Sequence, residues 1–365
     1  MTRFCIAGDG RFPQKGVARS KGVVVLKIKR HIVFLSLLLS LTLTALGQEE
    51  EGLLDLDLEQ LMSLDVIQVT IPGAHWHWED DWMIGYQYVQ QHWRGHQSGT
   101  RRLSDQEVLK QFPITHERMT MHMHMLMFMH GNSDELTFMA MVPYMEMDMP
   151  HLTRQNTTFT TRSEGLGDIQ LSAILPVYDE YPHRIQVESG ISIPTGSVSV
   201  SDLNGRPGHL EYAMQLGSGT FDLRPKLTYL GQTDKLSWGA QARAVVRVGK
   251  NSEGYARGNI YGLTTWISPA VTKDFSPSLR IDAQHWGNVR GIDTAIPVAN
   301  PAAVAGLQGG ERVDLLLGLN YGAGVDDEGH GHRFSIEGGV PIYQNLRGPQ
   351  LRTEFIIGGA WQWTF

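Results

Sequence analysis

The densest chemistry in the sequence lies between Met119 and Met149, which reads MTMHMHMLMFMHGNSDELTFMAMVPYMEMDM. Thioether and imidazole together form a ligand set for Cu(I), and a His-x-His pair on a strand points both rings to one side. His122 and His124, with Met139 and Met141 across a short turn, are the candidate metal ligands. Copper is the implied ion, and the residues imply no other cofactor. Alternation also sets Met119, Met121, Met123, Met125, Met127 and Met129 opposite His122, His124 and His130, so His122 and Met123 cannot hold one ion. The competing reading is that methionine is a flexible apolar residue filling irregular space or facing lipid. Two more His-x-His pairs, His75/His77 and His330/His332, fall near a predicted periplasmic rim.

The second constellation is a set of charges at every other position of extended runs. It comprises Arg184, Glu188, Asp222, Arg224, Lys226, Arg243, Arg247, Arg280, Asp282, Arg312, Asp314, Arg333, Glu337, Arg352 and Glu354. Turned toward a shared interior, these groups could line a conduit that selects small polar or charged solutes. Equally, neighbouring Arg and Asp/Glu could pair across strands and fill a narrow interior. Catalysis has no candidate: no nucleophile elbow or His/Ser set is present, and the acids sit beside arginines, so the chain does not read as an enzyme.

Those side chains need elements of period two, and from about residue 81 the sequence supplies them. Ile185, Val187, Ile191 and Ile193 alternate with Arg184, Gln186, Glu188 and Ser192; Val313, Leu315, Leu317 and Leu319 alternate with Arg312, Asp314 and Asn320. Apolar-out, charged-in is the membrane-barrel assignment, since charge on a lipid face costs about 2–4 kcal/mol at the midplane. Twelve such runs are counted, the last two being 331–343 and 350–365. Short connections (131–134, 178–182, 231–234, near 273–274, 323–330) alternate with longer ones (93–116, 148–166, 195–218, 249–257, 287–310) until the tight 344–349. Short periplasmic turns and long outer loops have that rhythm. The final run ends in WQWTF, its terminal Phe365 resembling the signal read by the outer-membrane insertion machinery. The predicted fold is all-β: a 12-stranded antiparallel transmembrane β-barrel over 81–365 with a short N-terminal helix.

That helix is expected over 49–70, where Leu53, Leu54, Leu58, Leu61, Met62 and Leu64 fall near helical spacing within a periplasmic lead-in of residues 48–80. Before it, the basic Lys27, Lys29 and Arg30, an apolar run from Ile32 to Leu46 and the small-x-small Ala45-Leu46-Gly47 read as a signal peptide over 1–47, its start over-extended. The run is too short to span a membrane as a helix. Cleavage would remove eight of 31 basic residues and one of 38 acidic ones, leaving 23 against 37 and a net charge of −14. Nucleic acid is excluded as a partner, because phosphate binding rests on a basic surplus. The single cysteine, Cys5, would leave with the leader. The implied partners are outer-membrane lipid, the insertion machinery and a small solute, and the implied location is a Gram-negative-type outer membrane.

From about Trp82 to Phe365 the chain resembles the outer-membrane transporter family of the MetA-pathway of phenol degradation. The stretches that carry the resemblance are SDQEVL (104–109), MTMHMHM (119–125), LTFMAMVPYM (136–145), TRSEGLGDIQLSA (161–173), ISIPTGS (191–197), MQLGSGTFDLRPKLTYLGQ (214–232), QHWGN (284–288), LLLGLN (315–320), GPQLRTE (348–354) and the terminal WQWTF. The resemblance implies an outer-membrane channel, sometimes linked to uptake of aromatic compounds. Three functions are carried forward: a channel for small polar or charged solutes, a protein binding or passing a soft metal such as copper, and a structural barrel with a closed lumen.

Overall fold

The computed structural model describes residues 70–365 apart from 204, 206 and 327. The expected signal peptide and most of the lead-in lie outside these residues. Eleven antiparallel strands form one closed ring: β1 (Trp82–Gly99), β2 (Arg118–Ser133), β3 (Leu136–Thr153), β4 (Ile169–Glu180), β5 (His183–Ile193), β6 (Lys226–Thr233), β7 (Leu236–Val248), β8 (Ile260–Pro269), β9 (Phe275–Trp286), β10 (Gly310–Ala323) and β11 (Gly331–Thr364). Each strand pairs with its neighbours in sequence. The ring closes where β11 pairs with β1, from Met83 opposite Thr364 to Gly99 opposite Leu346, so no long edge is left exposed.

Two expectations are corrected. The count is eleven, not twelve, because 331–343, the connection 344–349 and 350–365 form one uninterrupted 34-residue strand element. Its first part pairs with β10 and its second part with β1, so the chain reverses without leaving β-structure. The expected short N-terminal helix does not occur among the described residues either. The expected span 49–70 lies almost wholly outside the described residues, and from Thr70 to Trp78 the backbone is irregular. Among the described residues the one α-helix is the five-residue Asp105–Leu109, started by a capping box in which Ser104 and Glu107 satisfy each other's backbone amides.

Alternation sorts the side chains as hydrophobic patterning requires. Leu317 is 65% exposed and Ile336 57%, whereas Asp314 and Glu188 are at 1% and 2%. A belt of exposed Leu, Ile, Val, Phe and Tyr around a polar interior inverts the usual soluble arrangement and requires lipid outside. No helix among the described residues is long and apolar enough to cross a membrane; the crossing elements are strands.

One end carries the short turns together with Trp82 and Phe365, whose main chains exchange two hydrogen bonds. The opposite, outer end is thickened by four short strands: Arg101–Leu103 on β1, Ile114–His116 and Thr158–Leu166 on β3, and Phe221–Leu223 between β5 and β7. The last of these is separated from β6 at Arg224-Pro225, where proline has no N–H to give the ladder.

Candidate functional site

The lumen-facing charges mostly meet in pairs. Lys226 Nζ lies 2.9 Å from Glu188 Oε2, and Arg243 is bidentate on Asp282 at 2.8 and 2.9 Å. Arg280 grips Glu337 through two guanidinium nitrogens, Arg312 Nε donates to Asp314 at 2.8 Å, and Arg247 contacts the fully buried Asp222. Arg184 pairs with Asp179 at 2.9 Å and lies over the Trp76 ring, while Arg333 donates to the Gly329 carbonyl. Arg224 is half-buried on the same wall. A shift of register between His92 and Trp93 displaces the expected pattern on β11. Thr353 becomes the buried residue and accepts from Arg312, while Arg352 is half-buried and Glu354 is exposed beside His92.

In the outer half the lumen opens into a cavity of about 390 Å³. Its lining combines Arg247, Arg257 and Arg312 with Trp93, Trp286, Met119, Met121, Met149, Gln91 and Gln284. Arg257 is held by main-chain carbonyls, donating to Tyr212 at 3.1 Å and Gln215 at 2.6 Å. Its charge therefore faces the cavity without the carboxylate that anchors Arg247 and Arg312.

The loops above this cavity are locked at Asp168. Its carboxylate accepts the Gly196 N–H at 2.9 Å and the Ser218 N–H at 2.7 Å, and the Ser218 hydroxyl lies 2.7 Å from it and 3.0 Å from Asp222. A Cβ on Gly217 would come within 2.2 Å of the Gly196 carbonyl oxygen, which explains glycine at that crossing. Three of the sequence stretches noted above, around GLGD, PTGS and LGSGTFDL, thus meet at one carboxylate, and through Asp222 they reach Arg247.

Toward the other end, residues 70–78 cross the lumen. Gln87 donates to the Thr70 carbonyl at 3.1 Å, Gln186 to that of Gly73, and Lys226 to that of Pro72 at 3.2 Å. Thr137 accepts the His77 N–H at 2.9 Å and donates to the His77 carbonyl at 3.1 Å. Trp76 packs on a buried cluster of Met83, Met125, Met127, Met129, Met139, Met141 and Ile174.

The Met/His hairpin is therefore divided between faces. Met139 and Met141 point inward and are buried, opposite Met129 and Met127 of β2. His122 and His124 lie on the outer surface, each ring nitrogen 2.7 Å from a tyrosine hydroxyl, Tyr88 and Tyr86 respectively. The four candidate ligands are not brought together.

Sequence reading missed two sets. One is the uncharged lumen lining of Gln87, Gln241, Thr228 and Thr264, all buried. The other is a histidine group at the outer rim, where His116 and His151 stand opposite each other across paired strands with ring centroids 5.0 Å apart. Burial first, then the neighbouring His151 and His96 imidazoles, holds the His116 imidazole well below its ordinary range, so it is neutral near pH 7. No short motif links these positions; only the outer-strand pairing does.

A closed ring with an apolar belt, a charged lumen and alternating connection lengths defines an outer-membrane β-barrel. Residues 123–288 match the model of the family described as "Putative MetA-pathway of phenol degradation". Among solved structures, an outer membrane channel from Pseudomonas putida F1 has the same fold at 14% identity and a TM-score of 0.58, over 81% of this chain and 99% of that one. The KdgM porin (13% identity, TM-score 0.38, 78% and 99% covered) and a Pseudomonas aeruginosa FadL homologue (9%, 0.37, 78% and 89%) are more distant. No curated protein matches.

Proposed function

We propose that the chain is a passive outer-membrane channel for small solutes, and that its outer cavity favours small anions bearing an aromatic or apolar part. The observation that carries this reading is the cavity's mixed lining, in which Arg247, Arg257 and Arg312 stand together with thioethers and indoles. Guanidinium groups suit carboxylate or phenolate oxygens, and Met and Trp surfaces accept a ring. A volume of about 390 Å³ suits a solute of one or two rings. The family description, with its phenol degradation pathway, points to the same class. Delivery would follow from the expected signal peptide over 1–47 and the terminal Phe365, read by the insertion machinery.

Residues 70–78 narrow the passage below the cavity and would set its open state. Current through the full mature chain in a planar bilayer tests the proposal. The expected record shows discrete steps with a reversal potential favouring anions, shifted toward zero by Arg257→Met. Absence of current at any salt concentration would remove the channel reading.

A further inference from the structure

At the outer rim, away from the paired charges of the lumen, three side chains from distant parts of the sequence converge. His116 comes from the short strand 114–116, His151 from the outer end of β3, and Glu211 from the long connection between β5 and β6. One potential ligand atom from each lies within 4.8 Å of the other two. All three residues are buried, at 3%, 0% and 8% exposure. His116 Nε2 is enclosed and makes no hydrogen bond. Such an atom is costly to bury unless something binds it.

The surrounding groups hold the donors in place. Thr161 Oγ1 sits 2.9 Å from His151 Nε2 and orients that ring. Asn300, itself buried, donates to Glu211 Oε1 at 2.5 Å, and its own carbonyl oxygen accepts the Ala303 N–H that starts a short 3₁₀ turn. An imidazole steadied through one nitrogen, as in His151, and a carboxylate steadied by an amide, as in Glu211, are part of the outer-shell arrangement of metal centres.

We propose that His116, His151 and Glu211 form a divalent-cation site of the zinc class in the outer cap of the barrel. Two imidazoles and one carboxylate match zinc and its neighbours better than hard cations, which prefer all-oxygen sets, or Cu(I), which prefers sulfur. Bound there, the ion ties the short strand 114–116, the outer end of β3 and the β5–β6 connection together. Three protein donors leave a coordination position for water or for a solute oxygen, and His116 is itself part of the cavity wall. The second cluster, His209, Glu253 and Asp293, is less buried, and its His209–Asp293 contact of 2.8 Å already has the form of an ion pair.

The test uses the full mature chain, purified without a polyhistidine tag, stripped with chelator and titrated with Zn²⁺, with Co²⁺ as spectroscopic probe. The expected result is one equivalent bound, with ligand-field bands of a low-coordinate cobalt centre. Affinity should fall at least ~10-fold in His116→Ala and Glu211→Gln, and by about 10–100-fold in Asn300→Ala. Folding of each variant is checked by heat-dependent migration on gels. Glu211→Gln keeps side-chain shape and the acceptor for Asn300, and it carries the test if His116→Ala does not fold. No stoichiometric binding by the wild type, or undiminished affinity in Glu211→Gln, would overturn the proposal. Unaltered binding in His209→Ala would support it.

Discussion

Loosening residues 70–78 should enlarge the conducting state, and the size of the effect follows from the bonds that hold them. Gln87 and Gln186 each donate one hydrogen bond to this segment, and Thr137 makes two with His77. At roughly 1 kcal/mol net apiece, the triple variant Gln87→Ala/Thr137→Val/Gln186→Ala gives up about 4 kcal/mol of docking energy. At 1.4 kcal/mol per decade, that shifts the docked-to-released ratio by up to about 10³-fold. Water entering the vacated positions lowers the figure, and Lys226 and the Trp76 packing remain. The assay is single-channel recording. Wild-type barrels are expected to dwell at a low-conductance level with rare excursions, and the triple variant to occupy a higher level most of the time. Identical amplitude distributions in folded wild-type and variant barrels would refute the role assigned to these residues.

Breaking the Arg280–Glu337 pair with Glu337→Ala should cost about 3 kcal/mol, because Arg280 loses its hydrogen-bonded carboxylate in a confined interior and keeps only the 4.0 Å contact with Asp282; urea-induced unfolding in liposomes measures it. Arg280→Met/Glu337→Leu together should recover most of that loss. On the opposite face, Leu317→Arg should cost about 2–4 kcal/mol in the same assay, and an effect within error would contradict lipid contact at mid-strand. The His330 imidazole, in the connection between β10 and β11, is raised above its ordinary value, first by its hydrogen bond to Asp81. Its folded value exceeds its unfolded one, so the stabilisation is complete below about pH 6.5 and fades as pH rises through the folded value. Thermal melts should show that dependence in wild type and lose it in His330→Asn.

Period two carried most of the fold in legible form. The alternation of Val187 and Ile191 with Gln186, Glu188 and Ser192 fixes which face meets lipid, because reversing it would place charges in hydrocarbon. The same rule could not see the register shift near Thr353, since a bulge is a tertiary adjustment between β1 and β11 that exchanges inward and outward residues. Nor could it count the final strands, because the turn around Gly348-Pro349 stays hydrogen-bonded to its neighbours and reads as β-structure throughout. The methionine stripe has two possible faces; the contact of Trp76 with that cluster shows it turned inward. Residues 70–78 mix Pro, Gly, His and Trp without a period, and their path across the lumen depends on partners 17 to 169 positions away. His116, His151 and Glu211 are equally invisible in sequence, since they meet only after the outer strands pair and the loops close on Asp168.

The most direct test is permeation through proteoliposomes containing the folded barrel. In isotonic sodium benzoate, swelling should exceed that of protein-free vesicles and that in a neutral disaccharide, and Arg257→Met should reduce the preference. Equal, background-level swelling in every solute would contradict the claim that this barrel is a channel.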